Sequence, residues 1–198
     1  MAQDAVRYKI VVIGGSAGSL DVIMKILPFL PQASGVTYII VVHRKNDPDS
    51  ILTQLIAART KMMVKEVEDK EPLLPDAIYI APPDYHLLVE NESLFSLDSS
   101  EKIFFSRPSI DVTFESVAQI FGTRVIGILL SGANADGAQG LKRVREAGGY
   151  TIAQDPASAD IGFMPAEAIN LGAACIVLPP DAIGDYVKNL VENDRPDK

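Results

Sequence analysis

A short apolar run, Ile-Val-Val-Ile at residues 10–13, ends abruptly in Gly-Gly-Ser-Ala-Gly at residues 14–18. A segment with apolar residues at helical spacing follows at once. A buried strand that turns sharply through Gly-x-Ser-x-Gly into a helix is the layout of a nucleophile elbow, which exposes a serine hydroxyl. The pattern therefore predicts an α/β fold and identifies Ser16 as a candidate nucleophile.

Apolar runs alternate with helix-like segments along most of the chain, which is typical of a parallel sheet with crossover helices. Strands are predicted at residues 8–13, 36–42, 77–81, 124–130, 150–153 and 175–178. Helices are predicted over residues 23–30, 51–56, 110–121, 136–147 and 183–191, with caps for the second in Asp47-Pro48-Asp49-Ser50 and a polar tail at 193–198. Residues 86–89 and 94–96 predict a hairpin. The predicted fold is α/β: a doubly wound, mostly parallel sheet flanked by helices, with a small antiparallel hairpin.

Composition bounds the compartment and the partners. The 198 residues suit one domain, spanning 1–198, and the single cysteine, Cys175, permits no intrachain disulfide and is expected in the core. No basic leader precedes an apolar stretch, and no run approaches the roughly 20 residues of a membrane span. The net charge of −8 argues against a nucleic-acid partner. We expect a cytoplasmic protein with no membrane insertion.

Three polar residues come after predicted strands. Ser16 follows the first strand, His43 follows the second, and Asp136 lies in Ser-Gly-Ala-Asn-Ala-Asp-Gly after the strand at 124–130. Ligands bind outside the carboxyl ends of the strands in such sheets, and consecutive parallel strands are usually neighbours. We therefore expect Ser16 and His43 side by side, with Asp136 behind the histidine.

These residue types are the set that nucleophilic ester hydrolysis needs. A base activates the serine hydroxyl, histidine exchanges protons near neutral pH, and a carboxylate orients the imidazole. The backbone N–H of Ala17 is the expected first oxyanion donor, and that of Ala133, in the loop after the later strand, is the second. The prediction is a serine hydrolase with no metal and no cofactor. Its order of Ser, His and Asp differs from that of the α/β-hydrolases.

Each candidate also has a plainer interpretation. Residues 14–18 could cradle a phosphate at a helix N-terminus or form a structural turn, although serines at 16 and 19 break the dinucleotide pattern. His43 could be structural, and Asp136 could cap the helix that follows it. Asp155 and Asp160 are alternative triad acids.

Several motifs in a fixed order resemble the catalytic domain of the chemotaxis-receptor protein-glutamate methylesterases, the CheB family, nearly end to end. These motifs lie at residues 14–18, 41–43, 74–82, 86–87, 107–111, 131–138, 157–158 and 162–165. The resemblance implies a Ser16, His43 and Asp136 triad that hydrolyses γ-glutamyl methyl esters on the cytoplasmic helices of receptors. It also implies deamidation of certain receptor glutamines. Arg107 and Ser109 are implied as substrate-binding residues. Arg107 is expected to pair either with acidic groups on a receptor helix or with a local carboxylate. His86 is expected to be structural or peripheral.

The chain also departs from the family. Ser19 replaces a second glycine, Arg44-Lys45 replaces a Met-Pro pair, and Ala133 replaces a methionine beside the oxyanion position. The usual N-terminal receiver domain is expected to be absent, because the elbow begins at residue 14. Regulation would then come from a separate domain or protein. Three further interpretations stay open: a catalytically weak homologue that binds a partner, a phosphate- or nucleotide-binding module, and a catalytic domain normally fused to signalling domains.

Overall fold

The computed structural model describes residues 8–47 and 50–193. The strands are β1 (Ile10–Gly15), β2 (Thr37–Val42), β3 (Met63–Glu66), β4 (Ala77–Ile80), β5 (His86–Asn91), β6 (Leu94–Asp98), β7 (Val125–Leu129), β8 (Tyr150–Gln154) and β9 (Ile176–Leu178). The α-helices are α1 (Ser19–Ile26), α2 (Leu52–Ala57), α3 (Ile110–Phe121), α4 (Ala138–Glu146), α5 (Phe163–Asn170) and α6 (Pro180–Asn193).

Seven strands form one sheet in the order β3-β4-β2-β1-β7-β8-β9, and all the paired strands run parallel. The chain first builds outward from β1 through β2 and then returns to lay β7 on the other side of β1. The direction of winding therefore reverses between β1 and β7, which is where doubly wound sheets bind ligands. The predicted α/β fold is confirmed.

Each face of the sheet buries its own apolar cluster. In β1, Ile10 and Val12 pack in the cluster that contains α3, α4 and α5. The alternate residues, Val11 and Ile13, pack in the cluster that contains α1, α2 and α6. Because both faces are covered, β1 is apolar at every position, which explains the continuous run that the sequence shows.

The hairpin is confirmed as the antiparallel pair of β5 and β6. Leu87, Val89 and Phe95 are buried in the same cluster as α3. The hairpin thus lies on the α3 face and covers the apolar side of that helix.

Several local predictions differ from the structure. The edge strand β3 is not predicted, because it is short and only partly buried and lacks a continuous apolar run. The prediction that Cys175 lies in the core is wrong: its side chain is exposed, because the run at 173–178 leads into β9 at the other sheet edge. Ser50 of the expected cap is not the N-cap of α2, since Ile51 occupies that position and makes no side-chain hydrogen bond to the helix.

Some sequence predictions fall outside the described residues. Pro48 and Asp49 of the expected cap, and residues 194–198 of the polar tail, belong to this group. None of the helices in residues 8–47 and 50–193 is long and apolar enough to cross a membrane. In the same ranges, no group of three His, Cys, Asp or Glu side chains could hold a metal ion.

Candidate active site

The carboxyl ends of three adjacent strands bring the candidate residues together. Ser16 follows β1 directly and His43 follows β2, while Asp136 lies in the loop between β7 and α4. The backbone N–H of His43 donates to the carbonyl of Gly15 at 3.2 Å, and that of Ser16 donates to the carbonyl of Ser131 at 2.8 Å. The hydrogen bonding between these strands therefore continues past their carboxyl ends and fixes the start of each site loop.

The elbow at the end of β1 needs residues without side chains. A Cβ atom at Gly14 would overlap Ile110 at the start of α3, so a larger residue there would push that helix away. Gly18 has φ +78°, a left-handed conformation that other residues adopt at a cost. Ser19 begins α1, and its hydroxyl donates to the carbonyl of Ser16 at 2.7 Å. The serine that replaces the second glycine therefore ties the helix back to the elbow.

His43 and Asp136 are in direct contact. The His43 Nε2 lies 2.6 Å from the Asp136 Oδ2, and their side chains are 10% and 0% exposed. An ionised carboxylate can only accept, so Nε2 carries the proton and Nδ1 is the nitrogen free to act as a base. Among the described residues, the Ser16 hydroxyl makes no hydrogen bond to His43. Bonds of this kind often tighten only in the substrate complex.

Asp136 is held as an anion at the start of α3. Its carboxylate accepts from the Ser109 hydroxyl at 2.7 Å and from the backbone N–H groups of Ile110 at 2.7 Å and Asp111 at 3.0 Å. Burial acts to raise the pKa of Asp136, but the hydrogen bonds from His43 and from these groups outweigh it and lower the pKa below its usual value. The helix dipole favours the same charge state. A carboxylate that stays ionised can orient His43 and stabilise its protonated form.

The family model for CheB methylesterase matches residues 11–187. The chain belongs to this family. The crystal structure of the Thermotoga maritima CheB methylesterase catalytic domain is similar, with a TM-score of 0.87 and 35% identity, over 94% of this chain and all of that one.

Curated relatives in the CheB family differ in length. A Leptospira interrogans protein with the provisional name protein-glutamate methylesterase/protein-glutamine glutaminase is 39% identical, over 95% of this chain and 97% of its own. The protein-glutamate methylesterase FrzG of Myxococcus xanthus is 38% identical, over 93% of this chain. A methylesterase/glutaminase from Symbiobacterium thermophilum is 34% identical, over 95% of this chain. The chain spans only 55% of the length of FrzG and 52% of the length of the Symbiobacterium protein.

In this CheB-family chain, Asp111 mirrors the role of Asp136. The Asp111 Oδ1 accepts from the backbone N–H groups of Gly137 at 2.9 Å and Gly140 at 2.6 Å, at the start of α4. Burial is the main cause that raises the pKa of Asp111 to about 6, and the nearby charge of Asp136 adds to it. The idea that Asp136 caps the helix following it is therefore wrong. The carboxylate of Asp111 accepts from the N–H groups at the start of α4, whereas that of Asp136 accepts from the N–H groups at the start of α3. We call this exchange the α3–α4 clasp.

Ser109 does not have the surroundings expected of a substrate contact, and Arg107 is held in place by backbone carbonyls. Ser109 is fully buried, and besides holding Asp136 its backbone N–H donates to the Nδ1 of His86 at 3.0 Å. His86 is also buried, and its Nε2 donates to the carbonyl of Glu101 at 2.9 Å, which fits the expected structural role. Arg107 pairs with no carboxylate in the described chain and instead donates to the carbonyls of Ser99 and Ser100 at 2.6 and 2.7 Å. A substrate cannot reach Ser109 while the loop keeps this arrangement.

Two backbone amides at the elbow and the opposite loop are available as donors. The N–H groups of Ala17 and Ala133 have no acceptor among the described residues, and both residues are exposed. The Ser131 hydroxyl donates to the carbonyl of Ala17 at 2.7 Å, and the backbone N–H of Gly132 donates to that of Ile161 at 3.0 Å. The first bond joins the elbow to the loop after β7, and the second joins that loop to the segment before α5.

The alternative acids do not lie against the histidine. The Asp155 carboxylate accepts from the backbone N–H of Ala157 at 3.0 Å and so begins a short 3₁₀ turn. Asp160 is exposed and packs beside Gly18. Neither makes a hydrogen bond to His43, which leaves Asp136 as the carboxylate that does.

Proposed function

We propose that this chain is a serine esterase that hydrolyses the γ-methyl esters of glutamate residues in a protein substrate. The observation that carries the proposal is the buried contact between His43 and Asp136 beside the Ser16 elbow, in a chain of the CheB methylesterase family. The relatives named protein-glutamate methylesterase/protein-glutamine glutaminase support both the ester and the related amide substrate.

The proposed reaction begins with attack by Ser16 on the ester carbonyl. The Nδ1 of His43 takes the hydroxyl proton while Asp136, held ionised, stabilises the imidazolium. The negative oxygen of the tetrahedral intermediate lies between the N–H groups of Ala17 and Ala133. Removing one such donor in other enzymes costs about 3 kcal/mol of transition-state stabilisation.

The second half of the reaction returns the enzyme to its starting state. The protonated His43 gives its proton to the departing methoxide, and methanol leaves an acyl-enzyme on Ser16. A water molecule, deprotonated by His43, then attacks the acyl carbon, and His43 gives the proton to the departing Ser16 oxygen as the glutamate carboxylate is released. A glutamine side chain would follow the same route and release ammonia.

We propose the methylated cytoplasmic helices of chemoreceptors as the substrate and the cytoplasm as the compartment. The support is the family together with an acidic chain whose described helices include none that could cross a membrane. A separate regulatory domain or protein would control the activity. Ser16 is partly exposed, so a large protein substrate can reach it.

Labelling with a serine-directed fluorophosphonate tests the nucleophile. We expect wild type and a Ser93→Ala control, altered in the distant hairpin turn, to be labelled, and Ser16→Ala to be unlabelled. Methanol release from a methylated receptor fragment should follow the same pattern. Labelling that survives in Ser16→Ala would refute the assignment. Absent labelling together with saturable nucleotide binding would favour the phosphate-binding alternative.

A further inference from the structure

A pocket of about 400 Å³ opens beside His43 and is strongly basic. It is lined by His43, Arg44, Lys45, Asn46, Asp84, Lys102, Phe105, Ser106 and Arg107. Four of these nine residues are lysine or arginine and one is acidic, in a chain whose net charge is −8. We call this site the basic pocket. The acidic chain as a whole repels an acidic peptide, whereas the positive charge of this pocket attracts one.

The two arginines of the basic pocket are fixed in its wall. Arg44 forms an ion pair with Glu66 and donates to the carbonyl of Ala81 at 3.2 Å. Arg107 is held by two backbone carbonyls and forms no ion pair with a carboxylate among the described residues. The Nε–H groups of both arginines are buried and have no acceptor in the described part of the chain. The wall therefore carries positive charge that the protein does not fully neutralise.

The two lysines of the basic pocket are free to meet a ligand. Lys45 and Lys102 are exposed, and neither forms an ion pair with any described residue. Asp84, the acidic residue of the pocket, accepts instead from the side-chain amide of Asn46 at 3.0 Å. An ammonium group on a flexible stem can reach a carboxylate without one fixed geometry.

An exposed aromatic residue stands at the mouth of the basic pocket. Phe105 is 98% exposed, and its neighbour Phe104 is 47% exposed. The carbonyl of Phe104 accepts from the side chain of Asn134 at 3.4 Å, in the loop that carries Asp136. The aromatic residues thus lie on a loop tied to the site, where they offer apolar surface to the stems of long side chains.

We propose that the basic pocket binds a carboxylate side chain of the protein substrate and selects esters with acidic neighbours. The inference rests on the esterase function proposed above. Lys45 lies two residues beyond His43, a span of at most about 7 Å along the chain. This span suits a carboxylate three or four residues from the esterified glutamate on a helix, where side chains lie about 5–6 Å apart.

Two matched peptide methyl esters test the selection. One carries glutamates at three and four residues on each side of the ester, and the other carries glutamines there. An exposed ion pair contributes up to about fivefold, so two lysines should favour the acidic peptide by about threefold to twentyfold in kcat/KM. The preference should fall as salt rises from about 20 to 500 mM, because screening weakens exposed charge pairs.

Variants of the two lysines connect the preference to this pocket. In Lys45→Gln/Lys102→Gln the preference should largely disappear, and in Lys45→Glu/Lys102→Glu the glutamine peptide should become the better substrate. The control Lys61→Gln/Lys188→Gln changes the net charge equally at exposed lysines outside the pocket and should keep the wild-type preference. Equal rates for both peptides in wild type, or a preference that persists in both pocket variants, would overturn the proposal. So would an equal loss in the control.

Failure of the esterase function would give a different result. It would appear as no Ser16-dependent turnover of either peptide, and binding then provides the readout. Fluorescence anisotropy of the two labelled peptides with Ser16→Ala should still show the acidic peptide bound more tightly, and Lys45→Gln/Lys102→Gln in that background should abolish the difference. Equal binding of the two peptides would refute the basic pocket as a carboxylate site, whatever the rates.

Discussion

Replacing Asp111 separates its hydrogen-bonding role from its charge. One carboxylate oxygen, Oδ1, accepts from both Gly137 and Gly140 at the start of α4. Asparagine keeps an oxygen that can take both bonds, whereas alanine removes it. We therefore expect Asp111→Asn to preserve the fold and the activity, and Asp111→Ala to lose about 1–3 kcal/mol of unfolding free energy through two unpaired helix amides.

The charge of Asp111 gives the same comparison a pH dependence. Its pKa is raised from the ordinary value of 3.8 to about 6, mainly by burial. The folded state thus holds the proton more tightly than the unfolded state, so this contribution to stability is present below pH 3.8 and is lost as the pH rises through about 6. A shift of about two pKa units is worth roughly 3 kcal/mol, and partial exposure of the side chain reduces that to about 1–2 kcal/mol.

Asparagine stays neutral and should not lose that contribution. The stability of Asp111→Asn relative to wild type should therefore improve by about 1–2 kcal/mol between pH 4 and pH 7.5. Urea unfolding of wild type and both variants at several pH values measures this difference. Asp185→Asn, at an exposed carboxylate of α6, is the control and should show little change.

Activity provides the second readout for Asp111. Because Gly137 follows Asp136 directly, alanine at position 111 should shift the loop and lower kcat by about tenfold to a hundredfold, while KM changes little. Asparagine should retain most of the wild-type kcat. Relative stability of Asp111→Asn that falls as the pH rises would refute the reasoning, as would an alanine variant as stable and active as the asparagine variant.

Three further substitutions address the site loops. Asp136→Asn should lower kcat by about 10³- to 10⁴-fold. It should also lower the free energy of unfolding in urea by about 1–3 kcal/mol, because its amide N–H₂ would face groups that donate, and unchanged stability would contradict the clasp. Gly18→Ala should cost about 1–2 kcal/mol in thermal unfolding, since φ is +78° and the added Cβ would lie 2.5 Å from the Cβ of Asp160; an unchanged melting temperature would argue against this strain. Ser131→Ala removes the bond to the carbonyl of Ala17, so we expect kcat to fall at least fivefold in the ester assay, and full activity would show that this bond does not set the elbow.

The central strands and the placement of the site could be predicted from the sequence because their signals are local. β1, β2 and β7 are buried on both faces and so appear as unbroken apolar runs. The polar residue after each run then falls at the carboxyl end of its strand. The assignment of Ser16 as nucleophile remains a prediction, whereas the contact of His43 with Asp136 is present in the structure.

The partners of Asp136 could not be predicted, because they depend on how two distant helices meet. Nothing near residue 136 indicates that its carboxylate accepts from α3, which begins 26 residues earlier at Ile110. The same holds for Ser109, which the family resemblance implied as a substrate-binding residue, although its hydroxyl is used inside the protein. The local signals of a role at a helix start are Ser109 at the N-cap of α3, whose hydroxyl accepts from the backbone N–H of Val112 at 3.4 Å, and Asp111 in the first turn.

The basic pocket is dispersed in the sequence for a similar reason. Its lining residues come from the loop after β2, from Asp84 and from residues 102–107. Only Arg44-Lys45 stands out locally, as a departure from the CheB pattern. Lys102 becomes part of the pocket only because the fold places residues 102–107 beside His43.

The α3–α4 clasp also determines how the site can open. α3 begins on the carboxylate of Asp136, in the loop before α4, and α4 begins on the carboxylate of Asp111 in α3, so fraying of either first turn removes contacts from both. The acid that orients His43 thus belongs to a cooperative unit with two core helices, although it lies in a loop. Amide hydrogen exchange at Ile110 and at Gly137 should proceed at nearly one rate, set by that joint opening. The protein would lose the alignment of its acid only in the rare moments when this whole unit unfolds.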